Sequence, residues 1–174
     1  MTANHTAASF GAALRRLIDH LDGALEQAYR DDGLDFRPRY TPVMRALIAD
    51  GPQTIRALSD RLGVSHSAVS QTVSQMAASG LVAVTRGEDD ARQRIVALSR
   101  TGKAMLPRIE DHWRAARIAT ASLDTETGGV LVEVINRANA ALARRPFGER
   151  LAELRPANAK PKAAAPTGTR EGAA

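Results

Sequence analysis

The sequence predicts a mainly α-helical fold carrying one short two-stranded hairpin. Three observations point there. Aromatic residues are only 3% of the 174, while 44% are hydrophobic and mostly Ala, Leu and Val, which suits helices packed through aliphatic side chains. Apolar residues recur at helical spacing along most of the chain. The β-like runs are two, adjacent and short, "LVAVTR" and "RQRIVAL", with the polar tip "GEDDA" between them.

Taken in order, Phe10, Leu14, Leu17, Leu21 and Leu25 place a first helix from Ser9, its cap, to Tyr29. A loop with Gly33 and Pro38 follows. Thr41-Pro42 reads as a cap with proline at the first helical position, opening a second helix that Gly51-Pro52 stops. Thr54 caps a third helix with apolar Ile55, Leu58 and Leu62, and Gly63 falls where a left-handed residue is wanted. Ser65 caps a fourth helix that Gly80 closes. Ser99 caps a fifth, over residues 101–121. Asp124 or Thr125 starts one last long helix running through Gly128-Gly129. From Arg155 on, Ala, Pro, Lys and Gly dominate without an apolar period, which predicts a disordered tail. The organisation expected is a flexible N-terminus at 1–8, a dimerisation helix at 9–37, a central domain at 38–100, further dimerisation helices at 101–154, and the tail at 155–174.

Composition excludes several functions. Without cysteine there is no disulfide framework, thiolate metal site or thiol nucleophile. His5, His20, His66 and His112 are scattered, so no metal site is expected. No phosphate-cradling glycine loop or nucleophile elbow occurs, so neither an enzyme nor a cofactor is expected. No run of 18 apolar residues exists, and the N-terminal residues lack a signal-peptide pattern, so the expected location is cytoplasmic and off the membrane. The net charge of +5 is spread along the chain rather than gathered in a block; it permits binding to nucleic acid without establishing it.

Residues 54–98 read helix, glycine turn, helix, strand, tip, strand. The joint "LGVSHSAV" has the make-up of a helix-turn-helix: a short turn containing Gly63, Val64 to pack it, and a serine cap. On the fourth helix Val69, Val73 and Met76 share one side; Ser67, Gln71, Ser74 and Gln75 take the other, with Ser70 at the margin. From Ser65 to Ser79 no residue is charged apart from His66 when protonated, whereas a merely solvated face would carry Glu and Lys. Small polar side chains can enter a groove and bond base edges and phosphates. The hairpin then reads as a wing. Its tip is acidic, and Asp90 lies two residues before Arg92, on the same face of an extended strand. Asp90 is therefore expected to hold the arginine in position, with Arg92 or Arg94 reaching the minor groove. An ordinary mixed-charge hairpin is the competing reading.

From "TIRALSDRLG" through "SHSAVSQTVSQMAASGLV", Asp90-x-Arg92 and "VALSRTGKAML", the sequence resembles the MarR family of transcription regulators over about 60 residues. The resemblance implies a winged helix-turn-helix with dimerisation helices at both ends, and a homodimer on a pseudo-palindromic double-stranded operator. It also implies a repressor released by a small aromatic or anionic effector. The DNA-binding residues expected are Thr54, Ser65, His66, Ser67, Ser70, Gln71, Ser74, Gln75, Arg92 and Arg94. His20, Tyr29, Arg39, Tyr40, His112 and Trp113 are the effector-pocket candidates, because relatives place such a pocket where the dimerisation helices meet the winged domain. Core packing is the competing reading of these aromatics. The alternative for the whole chain is a winged-helix module that binds protein and not DNA.

Overall fold

The computed structural model describes residues 3–87 and 93–154. It contains helices α1 (Ala3–Asp31), α2 (Thr41–Asp50), α3 (Ile55–Leu62), α4 (His66–Ala78), α5 (Arg100–Glu126), α6 (Leu131–Arg144) and α7 (Phe147–Leu154). Three strands, β1 (Gln53–Thr54), β2 (Val82–Arg86) and β3 (Arg94–Leu98), form an antiparallel sheet in the order β1-β3-β2. It is a winged helix-turn-helix, with the hairpin β2–β3 as the wing. The chain divides into two units, residues 1–120 and 121–174.

In the first unit the core is where the helical and strand periods converge. Met44 and Leu47 of α2, Ile55 and Leu58 of α3, Val69, Val73 and Met76 of α4, Val82 and Val96 of the wing and Ile109 of α5 are all buried. The α3–α4 joint follows the chemistry of its residues. The Thr54 side chain accepts from the Ala57 amide at 3.1 Å, and Ser65 accepts from Ala68 at 3.3 Å, so both helices are capped as expected. Gly63 takes a left-handed φ of 64° and ends α3. Val64, expected to pack this turn, is instead exposed. The turn is held by the Ser59 hydroxyl donating to the Val64 carbonyl at 2.6 Å.

Wing and helices are joined at two places. At one, β1 pairs with β3, Gln53 opposite Val96 and Thr54 opposite Ile95. This third strand was not legible in the sequence, since two residues carry no period. At the other, Ser99 Oγ donates to the Gly80 carbonyl at 2.5 Å and accepts from the Gly102 amide at 2.8 Å, which makes Ser99 the cap of α5. The Ser99 amide bonds the Leu81 carbonyl at 3.1 Å. Gly102 lies so close to this carbonyl that a Cβ would stand 2.1 Å from its oxygen.

Several boundaries differ from expectation. α1 begins by Ala3, so Ser9 lies within it rather than capping it. A 3-10 turn, Pro38–Tyr40, precedes α2, and the Thr41 amide donates to the Pro38 carbonyl. Thr41 is therefore the first helical residue and Tyr40 the cap; Pro42, one position later than expected, still sits in the turn where an amide proton is dispensable. The long last helix, expected to start at Asp124 or Thr125 and run through Gly128-Gly129, is divided between the end of α5 and α6. α5 continues to Glu126, Gly128 and Gly129 adopt φ of 88° and 72°, and α6 starts after them. Positive φ at consecutive residues is incompatible with a continuous right-handed helix, and glycine accepts it without steric cost.

In the second unit the Asp124 carboxylate accepts from the Val132 amide at 3.1 Å, and Arg150 bonds the Ala141 carbonyl at 3.2 Å. No residue of α6 or α7 is buried. Val134, Ile135 and Leu142 are exposed on α6, and Phe147, Leu151 and Leu154, one turn apart, on α7. The wing tip, with Glu88, Asp89, Asp90 and Arg92, and the predicted tail lie outside the described residues.

Gly102→Ala forces a methyl group against a backbone oxygen that cannot move aside like a side chain. Overpacking of this kind costs about 1–3 kcal/mol. Chemical denaturation should show a midpoint lowered to match, and an unchanged midpoint would refute the close approach.

Candidate nucleic-acid interface and aromatic cluster

The outward face of α4 is as the helical period requires. Val69, Val73 and Met76 are fully buried, Ser67, Gln71, Ser74 and Gln75 are exposed, and Ser70 is half-buried. The hydroxyls differ in what they have left to offer. Ser65 Oγ is engaged as cap and lies 3.1 Å from Ser67 Oγ. Ser74 donates its proton to the Ser70 carbonyl at 2.8 Å and keeps only acceptor capacity. Among the described residues, the side-chain amides of Gln71 and Gln75 bond nothing in the protein. Each retains a full donor–acceptor pair, which is the set that reads a base edge.

Thr54, expected to contact DNA, is half-buried, with its hydroxyl engaged as the α3 cap. His66, in the first turn of α4, is exposed. Arg94 opens β3 directly opposite Arg86 of β2. A cavity of about 350 Å³ lies between α3, α4 and the root of the wing, with Thr54, Arg56, His66, Ser70, Gln93 and Arg94 on its walls. Arg56 and Gln93 were not among the sequence candidates. Arg56 adjoins the cap of α3 and Gln93 adjoins the tip, and only the β1–β3 pairing brings them to one place. Asp90 and Arg92 are outside the described residues.

The aromatic candidates do assemble. The Tyr29 ring packs edge-on against Phe36 at 5.1 Å and against His112 at 4.9 Å; Phe36 meets Tyr40 at 5.8 Å and Trp113 at 6.3 Å. Tyr29, Phe36 and Tyr40 are buried, so this cluster is the core that joins α1, the following loop and α5. His112 Nε2 lies 2.7 Å from the Asp32 carboxylate, and Arg108 bonds the Asp32 carbonyl, which ties the loop to α5. His20 is exposed and outside the cluster. Arg39 is exposed, 5.7 Å from the Tyr40 ring centre.

Tyr29 Oη and Trp113 Nε1 are buried without a hydrogen-bond partner among the described residues. Burial pushes the Tyr29 phenol up, an effect that Trp113, Thr41 and Arg45 nearby partly offset. Both residues border a cleft of about 280 Å³ that Thr41, Arg45, Asp22 and Arg117 also line. Arg45 stacks over the Trp113 ring at 4.6 Å. Arg45 and Arg117 escaped the sequence reading because they lie on the polar sides of α2 and α5 and look like ordinary surface charges. Among the described residues no group of acids and histidines is placed to hold a metal ion, and no helix is long and apolar enough to cross a membrane.

Residues 33–93 match the profile of the MarR family. No curated protein matches the chain by sequence. Solved structures share the fold. The PcaV transcriptional regulator from Streptomyces coelicolor, in complex with its natural ligand, superposes with a TM-score of 0.63 at 21% identity, over 81% of this chain and 99% of that one. Reduced AbfR bound to DNA gives 0.59 at 18%, over 79% and 96%. The transcriptional regulator BldR from Sulfolobus solfataricus gives 0.59 at 17%, over 83% and 99%.

Ser65→Ala removes the α4 cap and its contact with Ser67. Loss of such a cap costs about 0.5–2 kcal/mol. Thermal unfolding should show a lowered Tm, and restoration by Ser65→Asp would assign the loss to the cap, since Asp serves equally there.

Proposed function

We propose that the chain, whose residues 33–93 match the MarR-family profile, is a cytoplasmic, sequence-specific DNA-binding repressor, without catalytic activity, that acts as a homodimer. The observation that carries this reading is the exposed, uncharged Ser/Gln face of α4 beside an arginine-bearing wing root. The AbfR structure bound to DNA has the same fold. In this role α4 enters the major groove, Gln71 and Gln75 pair with base edges, and Ser67 and His66 meet the groove edge or phosphates. Asp90 orients Arg92 at the wing tip toward the minor groove.

The homodimer is supported by surface that one chain leaves uncovered. Phe10, Leu14, Ile18 and Leu21 on α1, and separately the apolar residues of α6 and α7, are exposed to an extent unusual for a monomer. A second copy would bury both sets, with two-fold symmetry matching a pseudo-palindromic operator. Regulation by a small aromatic or anionic effector is supported by Tyr29 Oη and Trp113 Nε1. Among the described residues neither buried donor has a well-formed partner, Trp113 and Thr41 lying near Tyr29 without meeting bond geometry, and with Arg45 beside them they suit a ligand that brings acceptors. Of the other candidates, His112 packs on Tyr29 and Arg39 lies over Tyr40, but neither they, Tyr40 nor His20 line the cleft that Tyr29 and Trp113 border.

Selection from a random duplex library should return an inverted repeat. Gln71→Ala should weaken that sequence by about 1–3 kcal/mol relative to a scrambled duplex. Equal weakening of both would remove Gln71 from base reading, and no retained duplex at all would favour the protein-binding alternative. For the dimer, Leu142→Asp should sediment as a monomer, and an undisturbed dimer would place the interface elsewhere. For the effector, benzoate should change the emission of Trp113, the chain's single tryptophan. Tyr29→Phe should weaken that response, and an equal response in both proteins would exclude Tyr29 as a ligand donor.

A further inference from the structure

The wing's inner face changes character along its length. β2 and β3 pair with Val82 opposite Leu98, Val84 opposite Val96 and Arg86 opposite Arg94. Because side chains alternate along a strand, these six lie on one face of the hairpin. Val82 and Val96 are buried in the core, and Val84 and Leu98 pack against it. The next pair on that same face is two arginines. Like charges directly opposed across a ladder destabilise it. Arg94 also lines the 350 Å³ cavity with Arg56, His66, Ser70 and Gln93, and among the described residues no carboxylate is on its walls. Asp60 lies 4.0 Å from Arg56 with both side chains largely exposed, too loose a pair to hold it.

We infer that this cavity seats one backbone phosphate of the DNA, clamped between Arg56 of α3 and Arg94 of the wing, with His66 and Ser70 of α4 closing the third side. The inference rests on the DNA-binding reading and deepens it. It gives Arg94 a place at the wing root, apart from the minor-groove role of Arg92. Guanidinium groups from two elements suit the tetrahedral oxygens of a phosphate, and an anion between them offsets the repulsion that the Arg86–Arg94 pair stores. The β1–β3 pairing fixes α3 against the wing, so the backbones that carry the two arginines are held together before DNA arrives. Such a contact sets the register of α4 in the groove and carries no sequence information.

The test uses full-length protein and a 30-base-pair duplex of random sequence, followed by anisotropy over a range of potassium chloride concentrations. Each neutralised phosphate contributes about 0.9 to the slope of log affinity against log salt. One shared phosphate predicts that Arg56→Ala/Arg94→Ala flattens the slope by about 0.9 per bound protomer, and that neither single variant exceeds this. A loss near 1.8 would mean two separate phosphates and would overturn the clamp, as would an unchanged slope. Salt-insensitive or absent binding by the wild-type protein would instead sink the DNA-binding reading itself. Without DNA, Arg94→Ala should keep or raise Tm, because it removes a like-charge contact. A fall of several degrees would make Arg94 a structural partner and overturn the inference. Inorganic phosphate should leave the wild-type Tm unchanged; a rise that Arg94→Ala abolishes would assign the cavity to a free anion and not to DNA.

Discussion

The winged unit depends on one close approach, the backbone of Gly102 against the carbonyl of Leu81. Leu81 leads into the wing and Ser99 leads out of it, and the two are bonded to each other while Ser99 caps α5. The hairpin can close on the helix pair only if α5 begins within van der Waals distance of that carbonyl. No side chain other than hydrogen fits there. The start of α5, the exit of the wing and the end of α4 are thereby fixed together, and both Leu81 and Ile109 reach the core as a result.

The second joint, at Thr54, governs the surface proposed to meet DNA. Thr54 is at once the last residue of β1 and the cap of α3. A residue of extended backbone with a side-chain acceptor can serve both roles, because the cap position requires β-region dihedrals in any case. The hairpin, too short to be stable alone, gains a third strand from the same segment that launches the first helix of the helix-turn-helix. Helix and wing are therefore tied together through one residue.

The aromatic cluster packs as core, the competing reading of these residues. Tyr29, Phe36 and Tyr40 are packed into the core, as structural aromatics would be. Yet Tyr29 Oη and Trp113 Nε1 are buried there without a hydrogen-bond partner among the described residues. A buried donor left unpaired costs about 1–3 kcal/mol, and phenylalanine at position 29 would avoid it. The cluster is thus the brace that holds α1 and its loop to α5, and two of its members, Tyr29 and Trp113, also border a cleft.

Periodicity and capping chemistry lie within the reach of sequence alone. The faces of α4, the caps Thr54, Ser65 and Ser99, the left-handed Gly63 and the pairing of the two wing strands were all legible there, because each depends on residues a few positions apart. Three features were decided only by tertiary structure. β1 is too short to leave a pattern and exists because β3 offers it a ladder. Val64 is exposed because a side-chain hydrogen bond, rather than apolar packing, holds its turn. The last helical stretch breaks at Gly128-Gly129 because those residues adopt positive φ, which their composition permits but does not require. The cavity at the wing root belongs to the same class. Arg56 and Arg94 are 38 positions apart, and nothing in either neighbourhood announces that a two-residue ladder will set them on facing walls.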